Sequence, residues 1–164
     1  MIDERLIFLP VTQLARLIHE KKISPVELTQ GYLERIGLLN SRLNAYINVC
    51  EDEALEEARI AEAEILGGRS LGPMHGIPVA AKDQMDARGM PTTVGSSFLM
   101  DPAEEDSTVV ARLRQAGSIF LGKLNLSEFA LGGNINHPFG IPRNPWNLDY
   151  QPGHSSSGSG VAVA

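Results

Sequence analysis

The feature that most constrains the fold is a pair of short apolar runs with one helical segment between them. The runs cover residues 77–81 and 118–123, and both have the length and composition of buried strands. The helix between them is opened by Asp106-Ser107 and closed by Gly117. A strand–helix–strand order favours neighbouring strands in a parallel or mixed sheet. The sequence therefore predicts an α/β fold.

Three helices are predicted in the first part of the chain. One begins with a capping box at Ser24, with Pro25 and Glu27 in its first turn. The other two are expected over residues 12–21 and 51–66. We interpret these helices as scaffold, and the alternative is that they pack against another protein chain or wrap a catalytic core.

The pattern divides the chain into two predicted regions. Residues 1–70 are expected to form a helical region that packs on the core, and residues 71–164 to form the first part of that core. The core is predicted to be part of a mixed sheet flanked by helices. Residues 160–164 are apolar and carry no stop signal. We therefore expect an element to continue past them, and a piece ending there to expose apolar surface and aggregate.

Charge and cysteine content argue against several function classes. The chain has 14 basic and 20 acidic residues and a formal net charge of −6. With no basic block, direct binding of nucleic acid or of an anionic membrane surface is not expected. The single cysteine, Cys50, excludes an internal disulfide and a Cys-based metal cluster. The N-terminus lacks a signal-peptide pattern, so a cytoplasmic protein is expected.

A lysine closes the first predicted strand. Lys82 follows the apolar run and precedes Asp83, and functional groups of α/β proteins often lie at the carboxyl ends of strands. Burial disfavours the ammonium form, so such a lysine can serve as a general base. The alternatives are a salt bridge to Asp83 or a side chain that points to solvent.

The segment from residue 151 to residue 160 is rich in glycine and serine. Small residues let a backbone approach a substrate closely, and the hydroxyls of Ser155, Ser156 and Ser157 offer nucleophiles and proton carriers. The alternatives are a flexible linker and a phosphate-binding loop, although the Gly-Lys-Ser/Thr ending of the latter is missing. A rigid Pro-bearing turn with Trp146 precedes the segment and favours an ordered loop.

Eight short motifs follow one another from residue 72 to the last residue. They are Gly72-Pro73-Met74-His75-Gly76-Ile77-Pro78, Ala81-Lys82-Asp83, Pro91-Thr92-Thr93-Val94-Gly95-Ser96, Asp106-Ser107-Thr108-Val109-Val110, Gly122-Lys123-Leu124-Asn125, Glu128-Phe129-Ala130, Arg143-Asn144-Pro145-Trp146 and residues 152–164. Their order and gaps resemble those of the amidase-signature family, and the helical first part is also similar to the family's usual start. The resemblance implies the N-terminal portion of an amidase-signature fold.

The resemblance also implies a mechanism in which a serine nucleophile cleaves a carboxamide bond. Lys82 aligns with the family's catalytic lysine, and Ser155 with its bridging serine, which follows a cis peptide bond. Neutral Lys82 would accept a proton from Ser155, which in turn deprotonates the nucleophile. The substrate would be a small-molecule amide, and no cofactor or metal is implied.

Two departures limit what the resemblance carries over. The family's nucleophile lies about two dozen residues beyond the bridging serine, which is past Ala164, so this chain is expected to lack it and to be inactive alone. His154 stands where glycine is usual, directly before Ser155. The bridging role is therefore open between Ser155 and Ser156, and the alignment from Pro152-Gly153 favours Ser155.

Other polar residues receive narrower predictions. Gly132, Gly133 and Asn134 resemble the loop that lines the substrate pocket of the family. Asp83 is expected to orient Lys82 or to cap a turn. The histidines His75 and His137 are expected to be structural, because the mechanism needs no imidazole.

Three functional hypotheses follow from the sequence. The first is a stand-alone amidase, for which a homodimer is one open arrangement. The second is the A subunit of a tRNA-dependent glutamine amidotransferase, which works with partner subunits. The third is a non-catalytic binding or scaffold chain, which the missing nucleophile and His154 favour, although Lys82 and the serine run would then have no evident use.

Overall fold

The computed structural model describes residues 4–131 and 137–164. In chain order its elements are α1 (Glu4–Ile7), α2 (Val11–His19), α3 (Pro25–Leu43), β1 (Tyr46–Val49), α4 (Glu51–Leu66), β2 (Pro78–Lys82), α5 (Thr108–Gln115), β3 (Ile119–Leu124), a 3₁₀ turn (Glu128–Ala130) and α6 (Ser157–Val163). Helices and strands are mixed along the chain, so the predicted α/β class is confirmed.

The three strands form one mixed sheet in the order β1-β3-β2. β1 and β3 are antiparallel. β2 and β3 run in the same direction, since Ile119 N–H donates to Ile77 O at one end and Asp83 N–H donates to Leu124 O at the other. Every residue of the central strand β3 is buried. The parallel pair joined through α5 is the arrangement that the strand–helix–strand pattern predicts.

The chain folds into two compact units, each built from three stretches. The first unit comprises Met1–Ile36, Cys50–Val79 and Ala111–Leu121, and the second comprises Gly37–Val49, Ala80–Val110 and Gly122–Ala164. The proposed division of the chain near residue 70 remains a prediction.

The first unit has an aliphatic core. Its buried members are Leu14, Ala15, Ile18, Leu28, Ile65 and Ile77. α3 begins where the capping box predicts, because the Ser24 hydroxyl accepts hydrogen bonds from Val26 N–H (3.0 Å) and Glu27 N–H (3.2 Å). The Ser24 hydroxyl also donates to the Glu62 carboxylate of α4. This bond ties the start of one core helix to the side of another.

Two polar side chains of the first unit are buried or half-buried beside its core. His75 is 1% exposed; its Nδ1 accepts from Leu71 N–H (3.2 Å), and its Nε2 lies 3.2 Å from Glu64 Oε2. Cys50 is half-buried and donates from Sγ to Phe120 O at 3.0 Å. Burial, reinforced by the charges of Glu57 and Glu53, raises the pKa of the Cys50 thiol to about 12.

In the second unit, the pairing of β1 with β3 contains an irregularity. Tyr46 lies opposite Leu124 and Asn48 opposite Lys123, so the register shifts between Tyr46 and Asn48. Gly122 adopts φ +146°, and a Cβ atom there would lie 2.1 Å from Asn48 O. Only glycine therefore permits this close approach of the two backbones.

The local predictions met different outcomes. Helices over residues 12–21 and 51–66, the helix from Ser24 and both apolar strands are present within two residues of their expected ends. β1 was not predicted, and the expected helix at residues 128–130 is a single 3₁₀ turn. In that turn Phe129 has φ 52° and Ala130 has φ 56°, a left-handed backbone that cannot continue a helix.

We predict that Gly122→Ala lowers the free energy of unfolding by more than about 2 kcal/mol, because the new methyl group meets a backbone carbonyl and the torsion is unfavourable for alanine. Gly37→Ala is the matched control. Gly37 lies inside α3 with open space around it, so alanine there should stabilise by about 0.5–1 kcal/mol. Urea unfolding followed by circular dichroism measures both, and similar effects at the two sites would contradict the close backbone contact.

The stability of the chain should fall below about pH 6.5, the pKa of an unperturbed histidine. Burial lowers the pKa of His75 in the folded chain, although Glu64 partly opposes this. As the pH falls, the unfolded chain therefore takes up the proton first, and stability is lost at up to about 1.4 kcal/mol per pH unit until the folded pKa is reached. A His75→Gln variant should lose less stability than the unmodified chain between pH 7.5 and 5.5 in thermal unfolding.

Candidate active site

Lys82 is the last residue of β2, and its amine contacts two hydroxyl groups. The side chain is buried, with 9% of the residue exposed. Its Nζ donates to Ser155 Oγ at 2.6 Å and to Ser156 Oγ at 3.1 Å. A strand end and a glycine–serine loop thus bring together groups separated by more than 70 residues of sequence.

The loop is held in place by backbone contacts of the short helix that follows it. Ser157 N–H donates to His154 O (3.1 Å), which closes a turn around Ser155 and Ser156. Gly158 N–H donates to Asn125 O (2.9 Å), and a Cβ atom at Gly158 would lie 2.4 Å from Ala45 O. The glycine therefore allows the loop to dock against the backbone beyond β3, and an ordered loop replaces the linker alternative.

Burial lowers the pKa of the Lys82 ammonium below its ordinary value. A lysine in this state releases its proton more readily than a surface lysine does. Its neutral amine can accept a proton from a hydroxyl group at hydrogen-bond distance. The pair of Lys82 and Ser155 can therefore act as an acid–base relay.

Asp83, the next residue, has different partners. Its Oδ1 lies 2.6 Å from Lys123 Nζ, and both residues are almost completely buried, at 1% and 0% exposed. Its Oδ2 accepts from Thr93 N–H (3.1 Å) and from the Thr93 hydroxyl. Lys123 Nζ also donates to Pro91 O (3.1 Å) and Thr92 Oγ1 (3.0 Å). The carboxylate and the second lysine thus form a buried ion pair completed by hydrogen bonds.

The predicted site residues fall into three groups. Lys82 and Ser155 lie within hydrogen-bond distance of each other. Asp83 pairs with Lys123, so the alternative of a salt bridge between Lys82 and Asp83 does not describe this structure. The proposed substrate-binding residues Gly132, Gly133 and Asn134 lie outside the described residues.

The cis peptide bond expected before Ser155 is not present. Among residues 4–131 and 137–164 no peptide bond is cis, so the bond between His154 and Ser155 is trans. A cis bond without proline is disfavoured by about 3–4 kcal/mol and needs surroundings that hold it. His154 is exposed to solvent, which offers no such packing.

Sequence reasoning missed three members of this constellation: Lys123, Thr93 and the contact of Ser156 with Lys82. Lys123 carried a usable signal, since it directly follows the apolar residues 119–122 of a predicted buried strand. A lysine buried in such a strand requires an anionic partner. Asp83, at the end of the neighbouring strand, was the candidate that strand adjacency offered.

The described parts of the chain also bear on two other kinds of site. Within them, no cluster of three or more His, Cys, Asp or Glu side chains is arranged to hold a metal ion. Nor do those parts contain a helix with the length and apolarity required to cross a bilayer. Burial lowers the pKa of His137.

Comparison with known sequences gives matches over nearly the whole chain. The family model described as amidase matches residues 27–164. The A-type chain of the glutamyl-tRNA(Gln) amidotransferase of Thermobifida fusca is 44% identical over 161 residues, which is 97% of this chain and 32% of the relative.

Solved structures match the fold described above. The peptide amidase of Stenotrophomonas maltophilia is similar with a TM-score of 0.87 and 40% identity, over 93% of this chain and 33% of its own. A fatty acid amide hydrolase is similar with a TM-score of 0.90 and 27% identity, over 97% of this chain and 28% of its own. The chain therefore spans about a third of the length of the proteins that it matches.

We predict that the amine of Lys82 titrates at a lower pH than that of Lys22, because only Lys82 is buried. Lys22 is a matched control, since its side chain is 64% exposed. NMR detection of the Nζ atoms in a chain labelled with ¹⁵N/¹³C-lysine, with Lys82→Arg used for assignment, measures both midpoints. Equal midpoints would show that the lysine at the strand end is solvated in solution.

Proposed function

The chain belongs to the amidase family, and on that premise we propose that the protein containing it hydrolyses carboxamide C–N bonds with a serine nucleophile activated through Ser155 and Lys82. The observation that carries the proposal is the 2.6 Å contact between Lys82 Nζ and Ser155 Oγ. It is supported by the burial of Lys82, which favours the neutral amine that a general base must be. Fold likeness to a peptide amidase and to a fatty acid amide hydrolase is consistent with chemistry on amides.

In the proposed mechanism the relay moves one proton in each direction. Neutral Lys82 accepts the proton of the Ser155 hydroxyl, and the Ser155 oxygen takes the proton of the nucleophilic serine as that serine attacks the amide carbonyl. The tetrahedral intermediate then collapses: the C–N bond breaks, and the proton returns through Ser155 to the leaving amine. Water attacks the resulting acyl-enzyme, which releases the acid and regenerates the serine.

The nucleophile is proposed to belong to the part of the amidase family's length that this chain does not span. The relatives are about three times as long as the matched region. The two groups of the relay that are present, Lys82 and Ser155, need a third hydroxyl to attack the substrate. We therefore expect no amide hydrolysis from residues 1–164 alone.

A second candidate function is that of the A subunit of a glutamine-dependent amidotransferase that acts with partner subunits. The observation that favours it is the identity of 44% to a chain of that name, against 40% and 27% to the two amidases with solved structures. Glutamine would then be the amide substrate and its ammonia would be passed on to an acceptor. The same relay serves both functions, because each begins with hydrolysis of a carboxamide.

The test is an assay of ammonia release by the product of the complete reading frame that contains this sequence. Glutamine, a peptide C-terminal amide and a fatty acid amide are the substrates. Lys82→Met should reduce kcat/KM by at least about 100-fold, the loss expected when a general base is removed. Lys22→Met, an exposed substitution in the surface pair with Glu20, should leave the rate unchanged.

Each outcome selects between the hypotheses. Hydrolysis of glutamine, with co-purification of further subunits, supports the amidotransferase assignment, whereas hydrolysis of the other amides by a single polypeptide supports a stand-alone amidase. Undiminished hydrolysis by Lys82→Met would refute the relay. A reading frame that supplies no further serine loop, and a product without amidase activity, would favour the non-catalytic alternative.

A further inference from the structure

We propose that Lys123 is a positioning residue for Lys82: it occupies the Asp83 carboxylate and thereby leaves the Lys82 amine to the serine hydroxyls. The inference rests on the proposed function, in which Lys82 must exchange a proton with Ser155. It assigns a role in the site to a lysine that makes no contact with either of these serines among the described hydrogen bonds.

The geometry gives Asp83 no capacity for a second cation. One carboxylate oxygen lies 2.6 Å from Lys123 Nζ, and the other accepts both donors of Thr93. Lys123 is equally committed, since its remaining donors go to Pro91 O and Thr92 Oγ1. Both charges are enclosed by protein, so the pair is screened little by solvent or salt.

The backbone of Asp83 is fixed as firmly as its side chain. Its N–H donates to Leu124 O (3.0 Å), and its carbonyl accepts from Val94 N–H (2.9 Å). Val94 has φ 51°, an unusual backbone conformation for a β-branched residue. The residue that follows Lys82 is thus anchored to β3 through Leu124 and Lys123, and to the segment around Thr93 and Val94. This anchoring fixes where the end of β2 presents Lys82.

The charge argument explains why the cation at position 123 matters. Asp83 is covalently adjacent to Lys82, and a buried carboxylate without a counter-ion stabilises any nearby ammonium. Such a carboxylate would favour the protonated form of Lys82 and compete with the serines for it. The groups that face the Lys82 amine at present are the neutral hydroxyls of Ser155 and Ser156. His154, the titratable residue of the same loop, is exposed.

The proposal separates the duties of the two lysines. Lys123 remains protonated and balances the charge of Asp83. Lys82 can then lose its proton and regain it from Ser155, and no other buried group changes its charge. The proton balance of the relay is therefore confined to Lys82 and the serines.

The experiment is the Nζ titration of Lys82 by NMR in the chain of residues 1–164, in the unmodified form and in three variants. Lys123→Met leaves Asp83 without its cation and should raise the Lys82 midpoint by on the order of one pH unit. Asp83→Asn removes the carboxylate and should not raise it. The double variant Lys123→Met/Asp83→Asn removes both charges and should return the midpoint to within a few tenths of the unmodified value.

These readouts separate a positioning role from a structural one. If Lys123 served folding alone, Lys123→Met would unfold the chain or leave the Lys82 midpoint unchanged in a folded one. If Lys123→Met does not fold, a Lys82 midpoint that rises in Asp83→Asn, or that departs by a full pH unit in the double variant, overturns the proposal. Amide signal dispersion in the same samples reports whether each variant is folded.

The titration does not depend on hydrolysis, so it fails or succeeds separately from the proposed function. A midpoint that responds as expected in a protein without amidase activity would leave the positioning role standing and refute the function. An active amidase whose Lys82 midpoint ignores Lys123 would do the reverse.

Discussion

The buried ion pair between Lys123 and Asp83 is the interaction on which the arrangement of the second unit depends. Each charge lies in a place where water cannot solvate it, so each is tolerated only because the other is present. Removal of one partner from such a pair typically costs about 3–5 kcal/mol. The pair joins the ends of β2 and β3 side by side, and the hydrogen bonds of Thr92 and Thr93 extend it to the loop between β2 and α5.

Around this fixed point the chain brings a second lysine to a different set of partners. Consecutive residues of an extended strand point to opposite sides, and Lys82 and Asp83 make contacts accordingly: one meets hydroxyl groups and the other meets a cation and a threonine. The serine loop reaches the amine because two glycines allow close backbone approaches, Gly122 between β1 and β3 and Gly158 against Ala45. Chemistry at the strand end therefore depends on steric conditions at several positions that carry no reactive group.

Much of this could be predicted from local sequence. The helix starting at Ser24, the strand ending at Lys82 and the strand–helix–strand order follow from caps and periodicity, and the meeting of Lys82 with Ser155 was implied by the family resemblance. β1 was missed because Tyr46–Val49 is a short edge strand whose partner lies more than 70 residues away. The partner of Asp83 was missed because sequence adjacency suggested Lys82, whereas the contact is made across the sheet. The trans bond before Ser155 shows that a family feature need not accompany the residue that usually bears it.

Cys50 lies outside the site and is the single cysteine in the sequence. Its thiol is half-buried, hydrogen-bonded to a backbone carbonyl and held protonated by its surroundings. Alkylating reagents attack thiolates, so the native residue is a poor competitor at neutral pH. A cysteine introduced at an exposed position of the serine loop, such as residue 154, would therefore accept a fluorescent or spin label selectively. The movements of that loop could then be followed by spectroscopy with no need to replace the natural thiol.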